Sequence, residues 1–199
     1  MQSNEYKIDK VIKSKPRGAL VFPDDFTKIG SSESIRKALQ RLENKGAIKR
    51  VAQGIYVRPK IDPYIGEVLP SAEEVATGIA KRDKIRLVPT GVYALNALGL
   101  STQIPIKLVF LTDGAPREIK LSKRSIKLKK TTPKTLLAKG EISSLVIQAL
   151  REIGKDKISA EEELKILALL KKENQKDLAH DLKLAPVWIR KIMQKAIQQ

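Results

Sequence analysis

Between residues 31 and 59 the spacing of apolar positions switches from helical to alternating. Ile35, Ala38, Leu39 and Leu42 recur at i, i+3, i+4 and i+7, which makes one apolar stripe on a helix. Arg36, Lys37, Gln40 and Arg41 lie off that stripe. Ser31 or Ser32 suits the helix start, and Gly46 suits a left-handed stop. Residues 47–51 and 55–58 then alternate as two short strands about Ala52-Gln53-Gly54. Gly54 can take the positive φ that such a turn requires.

The flanking pattern extends this arrangement. Tyr6, Ile8, Val11 and Ile12 predict a helix over residues 4–14, stopped by Pro16 and Gly18. Leu20, Val21 and Phe22 read as extended, and Pro23 and Asp24 open a second helix that Gly30 ends. Pro59, Pro63 and Pro70 mark a linker. A helix over 71–82 is capped by Ser71 with Glu74 in a capping box. A strand over 86–88, a helix over 90–98 and a strongly apolar strand over 106–112 follow. In residues 117–134, Ile119 and Leu121 alternate with Lys120, and Ile126 and Leu128 with Lys127 and Lys129. That alternation predicts a hairpin with an apolar inner face and a basic outer face. The last third reads as helices over 141–153, 160–172, 174–183 and 186–198, with a second capping box at Ser159 and Glu162 and Asn174 as a further cap.

The expected class is therefore α+β. A winged helix-turn-helix occupies residues 1–60, and a mixed α/β domain with the basic hairpin occupies 61–140. A helical segment, 141–199, can pack with the second domain.

Charge narrows the partners. The chain carries 39 Lys and Arg against 22 Asp and Glu, a net charge of +17 in 199 residues. Residues 1–60 hold 14 basic and 6 acidic residues, 61–140 hold 14 and 7, and 141–199 hold 11 and 9. The surplus thus lies in the first two segments, and a surplus of that size attracts polyanions. Hydrophobic residues make up 42% of the chain, enough to fill a core. There is no cysteine, which removes disulfides and thiolate metal sites and fits a cytoplasmic setting. No run approaches the ~20 apolar residues of a membrane span, and the first residues lack the apolar core of a signal peptide.

Helix, turn, capped helix, glycine and basic hairpin within 60 residues point to double-stranded DNA. Ser32, Ser34, Arg36, Lys37, Gln40 and Arg41 on the helix face base edges or flanking phosphates. Lys49, Arg50, Gln53 and Arg58 contact phosphate or the minor groove from the wing. Lys120, Lys123, Arg124, Lys127, Lys129 and Lys130 form a secondary basic patch, read as a second phosphate surface, a patch for an acidic protein, or a solvated strand pair. A protein-interaction module without specific DNA recognition ranks second, and an RNA-binding protein third, because few aromatic residues are present to stack single-stranded RNA. His180, the only histidine, sits beside Asp177 and Asp181 and reads as a solvated helix residue. Tyr93 and Trp188 read as packed, with Trp188 alternatively facing a partner. No phosphate loop, nucleophile elbow, paired catalytic carboxylates or metal-ligand spacing is present, so no cofactor is expected and the residues make no case for an enzyme.

The segment SIRKALQRLENKGAIKRVAQGIYVRP resembles the N-terminal winged helix of AbiEi-family antitoxins, through Arg36, Leu39, Arg41, Leu42, Gly46, Ile48, Arg50, Gly54 and Tyr56. VPTGVYALNALGLSTQIP followed by VFLTDGAPREI resembles the second domain of the same broad family, which includes short members of unassigned function. The resemblance spans about residues 1–140. It implies repression of the operon's own promoter and neutralisation of a nucleotidyltransferase-like toxin of a type IV toxin–antitoxin system.

Overall fold

The computed structural model describes residues 2–198. Contacts divide the chain into two compact units, residues 1–79 with 119–123 and residues 80–118 with 124–199.

The first unit opens with α1 (Asn4–Ser14), whose N-cap Ser3 accepts from the Tyr6 N–H. Ile8 and Ile12 are its buried positions. After β1 (Leu20–Val21) comes a single 3-10 turn, Pro23–Phe26, where the pattern predicts a second α-helix. Phe26 is its one buried side chain, and one apolar anchor in so short a segment cannot hold a longer helix against a core. Then comes α2 (Ser32–Asn44), with Ser31 accepting from the Ser34 N–H at 3.3 Å. Ile35, Ala38, Leu39 and Leu42 are all buried, as the stripe predicts.

The end of α2 is set by Gly46 at φ +71°. The Ala47 N–H reaches back to the Leu42 carbonyl and the Gly46 N–H to the Glu43 carbonyl, both at 2.9 Å. That pair of bonds is a Schellman motif, which needs a left-handed residue at the glycine position. The chain reverses into β2 (Lys49–Ala52) and β3 (Ile55–Val57). The three strands form an antiparallel sheet in the order β1-β3-β2, with a register shift between Arg50 and Ala52. All three residues of β3 are buried because it is the central strand. Val21, Phe26, Ile48 and Tyr56 join the α1 and α2 positions in one core.

The proline-marked stretch after residue 59 is more ordered than a linker. It folds as a separate two-stranded ribbon, β4 (Lys60–Asp62) with β5 (Gly66–Val68). Asp62 Oδ1 accepts from the N–H groups of Tyr64 and Ile65, which fixes the turn. Helix α3 (Ala72–Asp83) follows, with the expected box between Ser71 and Glu74.

In the second unit β6 (Leu87–Thr90) runs through Thr90, so α4 (Val92–Ala97) starts later than the pattern predicts. The sheet order is β6-β7-β9-β8, with β7 (Lys107–Thr112), β8 (Arg117–Lys120) and β9 (Ser125–Lys130). The predicted hairpin is thus part of a larger sheet, and β9 also pairs with β7 in parallel register. Ile126 and Leu128 face the core, as their alternation requires.

Helices α5 (Glu141–Ile153), α6 (Ala160–Leu170), α7 (Gln175–Leu182) and α8 (Val187–Gln198) match the predicted set. Val146, Leu150, Ile166, Leu170, Leu178, Ile189 and Met193 bury together with Ala94 of α4. Trp188 packs partly buried against them, and Tyr93 meets Phe110 with ring centroids 6.0 Å apart.

A buried carboxylate fixes the start of α5. Asp181 of α7 is fully buried and accepts from the Lys139 and Gly140 N–H groups, each at 2.9 Å, and from the Ser143 hydroxyl. His180 Nδ1 lies 2.8 Å from the same carboxylate, so this histidine is half-exposed and bonded rather than simply solvated. Burial pushes the Asp181 carboxyl up, but the bonds from His180, Ser143 and the two N–H groups outweigh it and hold it below the ordinary range. A depressed carboxylate contributes its stability fully above pH ~4 and loses it as pH falls through the folded value. Asp181→Ala, which strands the buried Gly140 N–H, the part-buried Lys139 N–H and the buried Ser143 hydroxyl, is expected to cost about 3 kcal/mol in urea unfolding at pH 7. The gap to the native protein should narrow below pH ~4.

Candidate nucleic-acid interface

Because α2 buries the Ile35–Leu42 stripe, its opposite side faces outward beside the β2–β3 hairpin. A groove of about 660 Å³ lies there, with Leu39 and Tyr56 among its walls. Ser32, Arg36, Gln40 and Asn44 line it from successive turns of α2, each four residues after the last. Arg50, Gln53 and Gly54 line it from the hairpin. Gly54 stands at φ +69°, as its turn requires. Five of the ten residues singled out in the helix and wing, Ser32, Arg36, Gln40, Arg50 and Gln53, therefore share one groove.

The other five lie elsewhere. Ser34 accepts from Asn4 Nδ2 at 3.3 Å and donates to the Ser31 carbonyl, which places it against the start of α1. Arg41 and Lys45 both bind Glu5 of α1, at 2.6 and 2.5 Å. Glu5 is largely covered, and these two cations, Lys45 first, hold its carboxyl below the usual range. Lys37 pairs with Glu33 one turn away at 2.8 Å, with both side chains more than 60% exposed. An exposed pair of that kind contributes only ~0.3–0.5 kcal/mol, so Lys37 is readily released. Lys49 bonds Glu67 of β5. Arg58 donates to the carbonyls of Lys13 and Lys15, at the C-terminal end of α1.

These pairings sort the cations. Among the described residues Arg36 forms no ion pair, and Arg50 makes only a long 3.4 Å bond to the Ala52 carbonyl. Sequence patterning could not separate Arg36 from Arg41, since both lie off the apolar stripe. Nor did it find the contributions of Glu33, Glu43 and Asn44 to the groove. Four-residue spacing from Ser32 was the available signal for Asn44.

Of the secondary patch, Lys127 and Lys129 alternate with the buried positions of β9, and Lys130 ends the strand. Lys120 ends β8, and Lys123 and Arg124 lie in the connection to β9. All six are exposed except Lys127, which is half-buried. Among the described residues no group of three or more His, Asp or Glu is placed to hold a metal ion. No helix among them is long and apolar enough to cross a membrane.

Arg58→Ala is expected to lower stability by about 2 kcal/mol, because it removes charge-assisted bonds that satisfy the end of α1. Arg50→Ala, with one long bond to lose, should shift thermal unfolding little. Calorimetry of the two variants side by side checks the contrast.

Residues 7–178 match a family described as a family of unknown function, DUF6088. The match spans most of the chain, and the chain belongs to this family. No curated protein matches it. Among solved structures, the crystal structure of RV2827C protein from Mycobacterium tuberculosis is similar at a TM-score of 0.42 and 14% sequence identity, over 96% of this chain and 81% of that one.

Proposed function

We propose that this DUF6088 chain binds duplex DNA through α2 and the β2–β3 hairpin, as a winged helix-turn-helix module, and represses transcription. The observation that carries the reading is the groove between them, lined by Arg36 and Arg50, which form no ion pair among the described residues. The chain order α1, β1, short turn, α2, β2, β3 and the sheet order β1-β3-β2 support it. So does the positive surplus of the first 60 residues.

In this reading α2 enters the major groove. Arg36, Gln40 and Asn44 offer a guanidinium and two amides, the groups that bond guanine and adenine edges in pairs. Glu33 and Glu43 bring acceptors suited to the cytosine amino group and reduce attraction to bare phosphate. Arg50 and Gln53 hold the backbone from the hairpin. Bound across a promoter, the protein excludes the transcription machinery. The resemblance to AbiEi antitoxins adds a second role, in which the rest of the chain neutralises a nucleotidyltransferase-like toxin in the cytoplasm.

Selection from a random oligonucleotide pool, followed by fluorescence anisotropy, tests the DNA reading. Arg36→Ala should weaken the selected site by ~1–3 kcal/mol while leaving random duplex nearly unchanged. Arg50→Ala should weaken all sequences alike and reduce the slope of log affinity against log salt by about one. A pool that yields no preferred site, or an Arg36→Ala protein that keeps its preference, would rule the reading out.

A further inference from the structure

The β4–β5 ribbon stands out for its surface. It forms a sheet of only two strands, so each strand has an unpaired edge. A lone hairpin is marginal in water, and an open edge is a template for pairing. Yet it displays Ile61 at 67% exposure, Tyr64 at 95% and Ile65 at 76%. Asp62 holds the turn rigid through its two bonds from Tyr64 and Ile65.

We propose that two copies of this chain join through β4, edge to edge and antiparallel about Ile61. The sequence of β4 is Lys60-Ile61-Asp62, which complements itself under that two-fold operation. Ile61 meets the partner's Ile61, and Lys60 faces the partner's Asp62. The same opposition recurs at the symmetry-related position. The neighbouring strand does not have this property. Pairing β5 about its centre would set Glu67 against the partner's Glu67, a like-charge contact, and Glu67 is already bonded to Lys49. Joining at β4 makes one four-stranded sheet from two ribbons and covers Ile61. A two-fold dimer also matches the symmetry of an inverted-repeat site on DNA.

The chain has no cysteine, which gives a direct test. Ile61→Cys places one thiol per copy at the two-fold axis, where antiparallel neighbours stand ~4.5–5.5 Å apart, within disulfide reach. Mild oxidation should link this variant quantitatively as a dimer. Ile104→Cys, equally exposed in a loop, serves as the control and should link far more slowly. Light scattering should give the native protein twice the 22.2 kDa chain mass. Lys60→Glu, which sets a carboxylate against the partner's Asp62, should raise the dimer dissociation constant at least tenfold, with unchanged circular dichroism. A native protein that stays at the chain mass overturns the proposal. So does Ile61→Cys linking no faster than Ile104→Cys, or a dimer indifferent to Lys60→Glu.

Discussion

Burial of the α2 stripe is the constraint on which the first unit depends. Ile35, Ala38, Leu39 and Leu42 are all at or below 3% exposure, and each such side chain contributes on the order of 1.5–3 kcal/mol of transfer free energy, the alanine less. No rotation of α2 about its axis keeps that burial. The stripe therefore decides which residues face the β2–β3 hairpin, and the groove is the other side of the core. Gly46 completes the constraint by turning the chain sharply enough to bring β2 back beside the helix.

On that rigid base, ion pairing sorts a surface that looks uniformly basic. Arg41 and Lys45 share the largely covered Glu5 and so join α1 to α2, while Arg58 satisfies carbonyls at the end of α1. These cations serve the fold. Lys37 is tied by an exposed pair too weak to commit it, and Arg36 and Arg50 are left facing the groove. Net charge gives only the sign of the surface field, and these pairings show which cations are left uncommitted at the groove.

The second unit is stabilised differently. Its helices share one apolar cluster, but the junction between the sheet and α5 is polar. Asp181 caps α5 from α7, 41 residues beyond Gly140 in sequence, and among the described residues no buried side-chain nitrogen or oxygen lacks a partner. A buried carboxylate survives there because four donors replace the water it loses.

The sequence by itself determined the helices with long apolar stripes, the capping boxes at Ser71 and Ser159, and the Gly46 and Gly54 reversals. All of these depend on interactions within a few residues, which spacing and side-chain type record directly. The 3-10 turn at Pro23–Phe26, the parallel pairing of β9 with β7, the ordered β4–β5 ribbon and the cap by Asp181 were decided by tertiary structure. The division of ten candidate residues into five in the groove and five outside it belongs with them. Each of these turns on which distant residue meets which, and a one-dimensional pattern carries the period of a face but not the identity of what that face touches.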